Sequence, residues 1–225
     1  MLIKEKQDLV IFGCSSFTDS IISLCNKISY IKVVAICVDD EYIGDFPLKY
    51  NNIHIISLHD AMLNYPNASY TIAIGYKNMR SREAVYNKLS DLNLHIETLI
   101  SPNAHISTDS IGSGCIIFDG VVVEHGVILN ENITLWSNVT ICHNAVIGRH
   151  SFIAANSTFG GFSKLGSLSF VGFNATVLDS IVIGQECLIG ASTLINFNVS
   201  DFSKCFGVPG RVISPIEKDF GVCIV

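Results

Sequence analysis

Charge is scarce in this 225-residue chain: Asp, Glu, Lys and Arg together make up 15% of it, against 49% hydrophobic residues. That balance excludes a disordered chain, which needs low hydrophobicity and high charge. Basic residues are the scarcer sign, 14 against 20 acidic ones, for a net charge of −6. There is no basic stripe to meet a phosphate backbone, so nucleic acid is not an expected partner. Long apolar runs are missing as well. Mean hydropathy is +0.44, yet stretches such as 33–38 and 120–123 fall far short of the ~18 residues a membrane-spanning helix needs. The opening MLIKEKQD is too charged for a secretory leader. These absences predict a cytoplasmic protein without membrane insertion.

The eight cysteines contain no C-x-x-C pair and no His/Cys cluster at zinc-ligand spacing. They read as small buried hydrophobes, with no metal site and no disulfide framework. The dinucleotide fingerprint G-x-G-x-x-G is absent too, which argues against a nicotinamide cofactor.

What the chain does have is a repeat. From Ile111 every sixth residue is aliphatic or Phe: Ile111, Ile117, Val123, Leu129, Leu135, Ile141, Ile147, Ile153, Phe159, Leu165, Val171, Val177, Ile183, Ile189 and Ile195. Gly often follows (112, 148, 160, 166, 172, 184, 190), and a small residue often stands two places before (Cys115, Ala145, Ser151, Ser157, Ser163, Ser169, Ala175). A helix repeats at 3.6 and a flat strand at two, so neither uses period six. A solenoid of short parallel strands does: three hexads close one triangular coil of about 18 residues, with the repeat apolars on the axis and glycine permitting the corner turns.

The first hundred residues read differently. Strand-like runs at 8–12, 32–38, 54–56, 70–74 and 95–98 alternate with helical spacing at 18–28 and 78–92, predicting a small, parallel, Rossmann-like α/β sheet. Asn51, Asn52 and the 64–67 stretch read as turns. Ligands of such sheets bind beyond the strand carboxyl ends, which puts Gly13, Ser15, Ser16, Phe17, Asp39, Asp40, Gly75 and Lys77 on one rim. A helix N-terminus after Gly13 favours an anion. These residues are equally well the ordinary turns of an α/β sheet.

Histidine is the natural general base near neutral pH. His125 and His143 both lie two residues after a repeat apolar and 18 apart, so they share one outward corner on successive coils, and one coil further is Gly161. A solvent-facing histidine is by itself unremarkable. His105 and His150 read as surface residues.

The order of these parts carries a resemblance: 8–16, an α/β unit, ISPNA at 100–104, the hexads with VTICHNAVIG at 139–148, then GVPGR at 207–211. It resembles the hexapeptide-repeat sugar acyltransferases, the sialic-acid O-acetyltransferase and nucleotide-sugar N-acetyltransferase family, over about residues 8–213. The resemblance implies a left-handed parallel β-helix over 101–213 after a nucleotide-sugar-binding domain over 1–100, with a tail at 214–225. It implies a homotrimer with acetyl-CoA in the groove between neighbouring solenoids and a nucleotide-linked amino sugar as acceptor. It places His143 as base, the Gly161 backbone N–H at the oxyanion and at the cofactor, Ala154 and Gly166 beside coenzyme A, and Arg211 at its phosphates.

Three residues depart from the pattern. Asn144 stands where the family has an acid that orients the imidazole. Phe17 replaces a frequent His in the first turn, and Trp136, the single Trp, replaces a small polar residue near the acceptor. A free amine is the better nucleophile and needs no strong base, so Asn144 favours N-acetylation, often at C4, for surface-glycan synthesis. O-acetylation of a sugar is the alternative within enzymes. A non-catalytic solenoid is favoured by Asn144 and Phe17 and opposed by His143, Gly161 and Arg211 together.

Overall fold

The computed structural model describes residues 6–224. The charged opening at 1–5 and the last residue, 225, lie outside the described residues. The chain divides into two compact units, 1–75 with 85–99, and 76–84 with 100–225.

The first unit is an α/β sheet. Strands β1 (Gln7–Phe12), β2 (Ile31–Val38), β4 (Ile53–Ser57) and β5 (Ser69–Ile72) are parallel, and β3 (Lys49–Tyr50) adds an antiparallel edge, in the order β3-β4-β2-β1-β5. Asn51 and Asn52, at φ of 49° and 64°, make the tight turn between β3 and β4. Helix α1 (Ser16–Cys25) begins where Ser15 and Thr18 form a reciprocal capping box, and it buries Phe17, Ile21, Leu24 and Cys25. Helix α2 (Leu58–Asn64) was not expected from sequence; Ser57 caps it by accepting from the Asp60 N–H at 3.0 Å. The expected strand at 95–98 is reduced to a single parallel bridge, Tyr70 to Ile96. Helix α3 (Met79–Asp91) is divided between the two units.

The second unit is a three-sided parallel β-helix. Two-residue strands stack with partners 18 apart, as in Val122–Val123 on Thr140–Ile141 on Thr158–Phe159. Every repeat apolar from Ile117 to Ile195 is buried in one core, and Ile111 packs against its end. Burying such a side chain contributes about 1.5–3 kcal/mol, and a lone coil has nothing to bury it against, so stability comes from stacking.

The corners correct one expectation. The left-handed position lies three residues after each repeat apolar; glycine fills it in the first coil (Gly114, Gly120 and Gly126), and beyond that asparagine is the residue most often found there, with Asn132, Asn138, Asn144, Asn156 and Asn174 at φ between 54° and 60°. Asn tolerates that region because its short amide bonds locally. The glycines that follow the repeat apolars serve another purpose. A Cβ on Gly166 would lie 2.3 Å from the Gln185 nitrogen, and one on Gly148 would lie 2.5 Å from the Ser167 nitrogen. They let one coil's backbone rest on the next.

The tail joins the second unit. Ile224 donates to the Lys77 carbonyl at 2.9 Å, Met79 to the Val222 carbonyl at 3.2 Å, and Arg80 pairs with Glu186 at 2.9 Å. Among the described residues no helix is long and apolar enough to cross a membrane.

Candidate active site

His143 follows the strand Thr140–Ile141 and faces outward at a corner, as the coil arithmetic predicts. The imidazole stacks on that of His125 one coil below, with centroids 5.7 Å apart and planes 14° apart. Phe162 meets it edge-on at 5.2 Å. Gly161 lies one coil above and touches the ring itself: a Cβ there would sit 2.5 Å from Cε1 and 2.8 Å from Nε2 of His143. No side chain fits at 161 with this ring in place, which gives the glycine a local reason.

Asn144 is beside the ring, its Nδ2 3.3 Å from Nδ1 of His143. In that orientation the amide donates, so the proton of a neutral imidazole rests on Nε2. A base at Nε2 requires the amide turned over, with Oδ1 accepting from Nδ1–H. A carboxylate would accept in either orientation; an amide accepts in one.

Two carboxylates missed in the sequence flank this corner. Glu124 accepts the His143 backbone N–H at 2.7 Å, and Asp179 accepts the Gly161 backbone N–H at 2.8 Å. Both were within reach of the same arithmetic, since 124 lies 18 before Cys142 and 179 lies 18 after Gly161. Burial, then the charges of Glu124 and Asp179, raise the Cys142 thiol above its ordinary value. A thiol held protonated is a poor nucleophile.

The corner therefore brings together His143, Asn144 and Gly161. Trp136 and Ala154 lie on a second corner, after the strands Thr134–Leu135 and Phe152–Ile153, where Trp136 packs at a tilt against Phe118 at 4.5 Å and Phe152 at 5.7 Å. Gly166 belongs to the third corner, and Arg211 is exposed at the start of the hairpin strand Arg211–Pro215. Within one chain these residues do not meet His143.

In the first unit, Gly13 (φ 108°) donates to the Cys37 carbonyl at 2.8 Å, and Ala73 donates to the Phe12 carbonyl at 2.7 Å. The ends of β1, β2 and β5 thus lie side by side. Ser15 and Ser16 are exposed there, and Asp39 pairs with Lys88 at 2.7 Å. Asp40 is exposed and Gly75 half-buried. Phe17 is 7% exposed, packed as part of the α1 core face, which leaves little of its ring for a ligand. Lys77, expected on the same rim, belongs instead to the second unit, where it is exposed and its carbonyl accepts from Ile224 of the tail.

His150 corrects another expectation. It is 3% exposed, its Nδ1 is 3.1 Å from Asn132 Nδ2, and burial with the charges of Arg82 and Arg149 lowers it to about 4. The buried Arg82 anchors the same network, donating to the Asn132 carbonyl at 3.1 Å and to Thr134 at 3.0 Å. All eight cysteines are free, five of them buried. Among the described residues no group of three His, Cys, Asp or Glu side chains is placed to hold a metal.

Solved structures share this architecture. The acetyltransferase domain of PglB from Neisseria gonorrhoeae superimposes with a TM-score of 0.81 at 19% identity, covering 92% of this chain and 100% of that one. PerB from Caulobacter crescentus, in complex with CoA and GDP-perosamine, gives 0.74 at 21% identity over 92% and 97%. WeeI from Acinetobacter baumannii gives 0.68 at 17% identity over 92% and 100%. The fold is that of these proteins. No protein-family model matches the sequence, and no curated protein does.

Proposed function

We propose that this protein is an acetyl-CoA-dependent N-acetyltransferase acting on the amino group of a nucleotide-linked sugar. The observation that carries the reading is the abutment of Gly161 on the His143 ring, which sets a backbone N–H one coil from a potential base. Proteins of similar structure support the same reading: the PglB domain is known in complex with acetyl coenzyme A, and PerB with CoA and GDP-perosamine.

In this reading the amine nitrogen attacks the thioester carbonyl carbon, and His143 Nε2 takes the proton that the nitrogen sheds. The oxyanion is met by the Gly161 N–H. Collapse breaks the C–S bond, and the departing thiolate takes the proton back from the imidazolium, leaving an acetamide and free coenzyme A. Thioesters are already activated, so no acyl-enzyme is required, consistent with the raised Cys142 thiol. For this step the Asn144 amide turns over from the orientation in which Nδ2 faces Nδ1, so that its oxygen accepts from Nδ1–H.

A homotrimer with left-handed solenoids side by side supplies the rest. Coenzyme A lies in the groove between neighbours, near Ala154 and Gly166, with Arg211 on its phosphates. The nucleotide-sugar is held by Gly13, Ser15, Ser16, Asp39, Asp40 and Gly75 of the first unit, and the trimer works in the cytoplasm. Trp136 narrows the acceptor end from a neighbouring subunit. Thiol release from acetyl-CoA with paired amino and hydroxy nucleotide-sugars tests the reading: turnover of the amino sugar is expected. Turnover of the hydroxy sugar alone would replace it with O-acetylation.

A further inference from the structure

His125, His143, Gly161 and Asp179 form one column, each a coil above the last. Asp179 reaches down from its own coil onto the one below. Its Oδ1 accepts the Gly161 N–H at 2.8 Å, and the same oxygen would lie 2.2 Å from a Cβ at Gly160. The missing side chain at Gly160 thus makes room for this carboxylate. Asp179 is exposed to solvent, so rotation about its side-chain bonds carries the carboxylate outward without disturbing packing.

A backbone N–H has one proton to give. It does not serve a carboxylate and a thioester carbonyl at full strength together, and a carboxylate left in place would repel the developing oxyanion. The donor that the reaction needs is therefore already engaged in the resting protein.

We propose that Asp179 is a lock on the acyl-carbonyl donor: its carboxylate holds the Gly161 N–H until the carbonyl of acetyl-CoA displaces it. The inference rests on the functional reading above and adds a residue that sets affinity for the acyl group as distinct from the rest of the cofactor. CoA has no carbonyl at this position and does not compete for the N–H. Asp179 therefore lowers affinity for acetyl-CoA and leaves affinity for CoA alone. A carboxylate that merely braced the turn would affect both ligands equally, or acetyl-CoA in the opposite sense.

Calorimetric titration of the full-length protein with acetyl-CoA and, separately, with CoA reads this directly. Asp179→Ala is expected to raise the ratio of acetyl-CoA to CoA affinity about fivefold, with CoA affinity unchanged. Asp179→Asn keeps an oxygen acceptor without its charge and is expected to raise the ratio about twofold, which keeps the test available if the alanine variant does not fold. An unchanged ratio, an equal gain for both ligands, or weaker acetyl-CoA binding overturns the lock. Failure of the wild-type protein to bind either ligand overturns the functional reading itself, so the two failures are distinguishable.

Discussion

Gly161→Ala isolates the geometry on which the chemistry depends. Gly161 does not have a left-handed φ, so alanine is compatible with its backbone, and the N–H is retained. The new methyl group would lie 2.5 Å from Cε1 and 2.8 Å from Nε2 of His143, whereas ordinary contact begins at 3.4 Å. The imidazole must retreat by roughly 1 Å to restore carbon–carbon contact distance. The stacked ring of His125, with centroids 5.7 Å apart, stands on the far side and deflects it further. A displacement of this size at a base costs about 100-fold in rate. In a thiol-release assay kcat is therefore expected to fall by about two orders of magnitude, while the thermal unfolding midpoint stays near that of the wild type. A double-mutant cycle separates this from general damage: His143→Ala is expected to lower kcat at least about 100-fold, within the general-base range of about 10²–10⁴, and Gly161→Ala added to it should change little further. A folded Gly161→Ala protein with wild-type kcat would refute the role of the ring.

Two further outcomes follow from the same residues and from the buried network. Asn144→Asp is accepted by the backbone, since Asp also tolerates the φ of 58° there; exchanging a neutral for a charge-assisted hydrogen bond is worth about 1 kcal/mol, so kcat should rise about fivefold. A fall in kcat would show that the ring is held by another group. His150 is lowered to about 4 by burial and by the Arg82 and Arg149 charges, so the unfolded chain binds the proton more readily than the folded one. Its contribution is complete above an unfolded value near 6.5 and is lost as pH falls toward 4, amounting to about 3 kcal/mol. Urea unfolding between pH 7 and pH 4 should show this decline, and His150→Asn, which keeps the left-handed corner, should flatten it; parallel curves for the two proteins would contradict the assignment.

The solenoid was legible because period six survives in single residues: each coil demands one axial apolar every six positions, so fifteen sites report the same constraint. The His125–His143–Gly161 column followed from addition alone. The corner asparagines Asn132, Asn138, Asn144, Asn156 and Asn174 carried a sparser signal for the left-handed positions, which Gly114, Gly120 and Gly126 share, whereas the glycines next to the repeat apolars do not mark them. Helix α2 was harder to read, because its seven residues lie between turn-rich stretches and give too short a window for a 3.6-residue period.

Hydrophobic spacing by itself determined that the chain winds in coils and which residues share a corner, because burial along an axis is a one-dimensional rule written into the order of residues. Side-chain reach and burial were decided only in three dimensions. The sequence marks 150 as a histidine at a corner, but only α3, which brings Arg82 and Glu83 over that corner, makes it buried and keeps it neutral. It likewise marks 179 as an aspartate one coil beyond Gly161, but whether its carboxylate points outward or folds back onto an N–H depends on the space left by Gly160 beneath it.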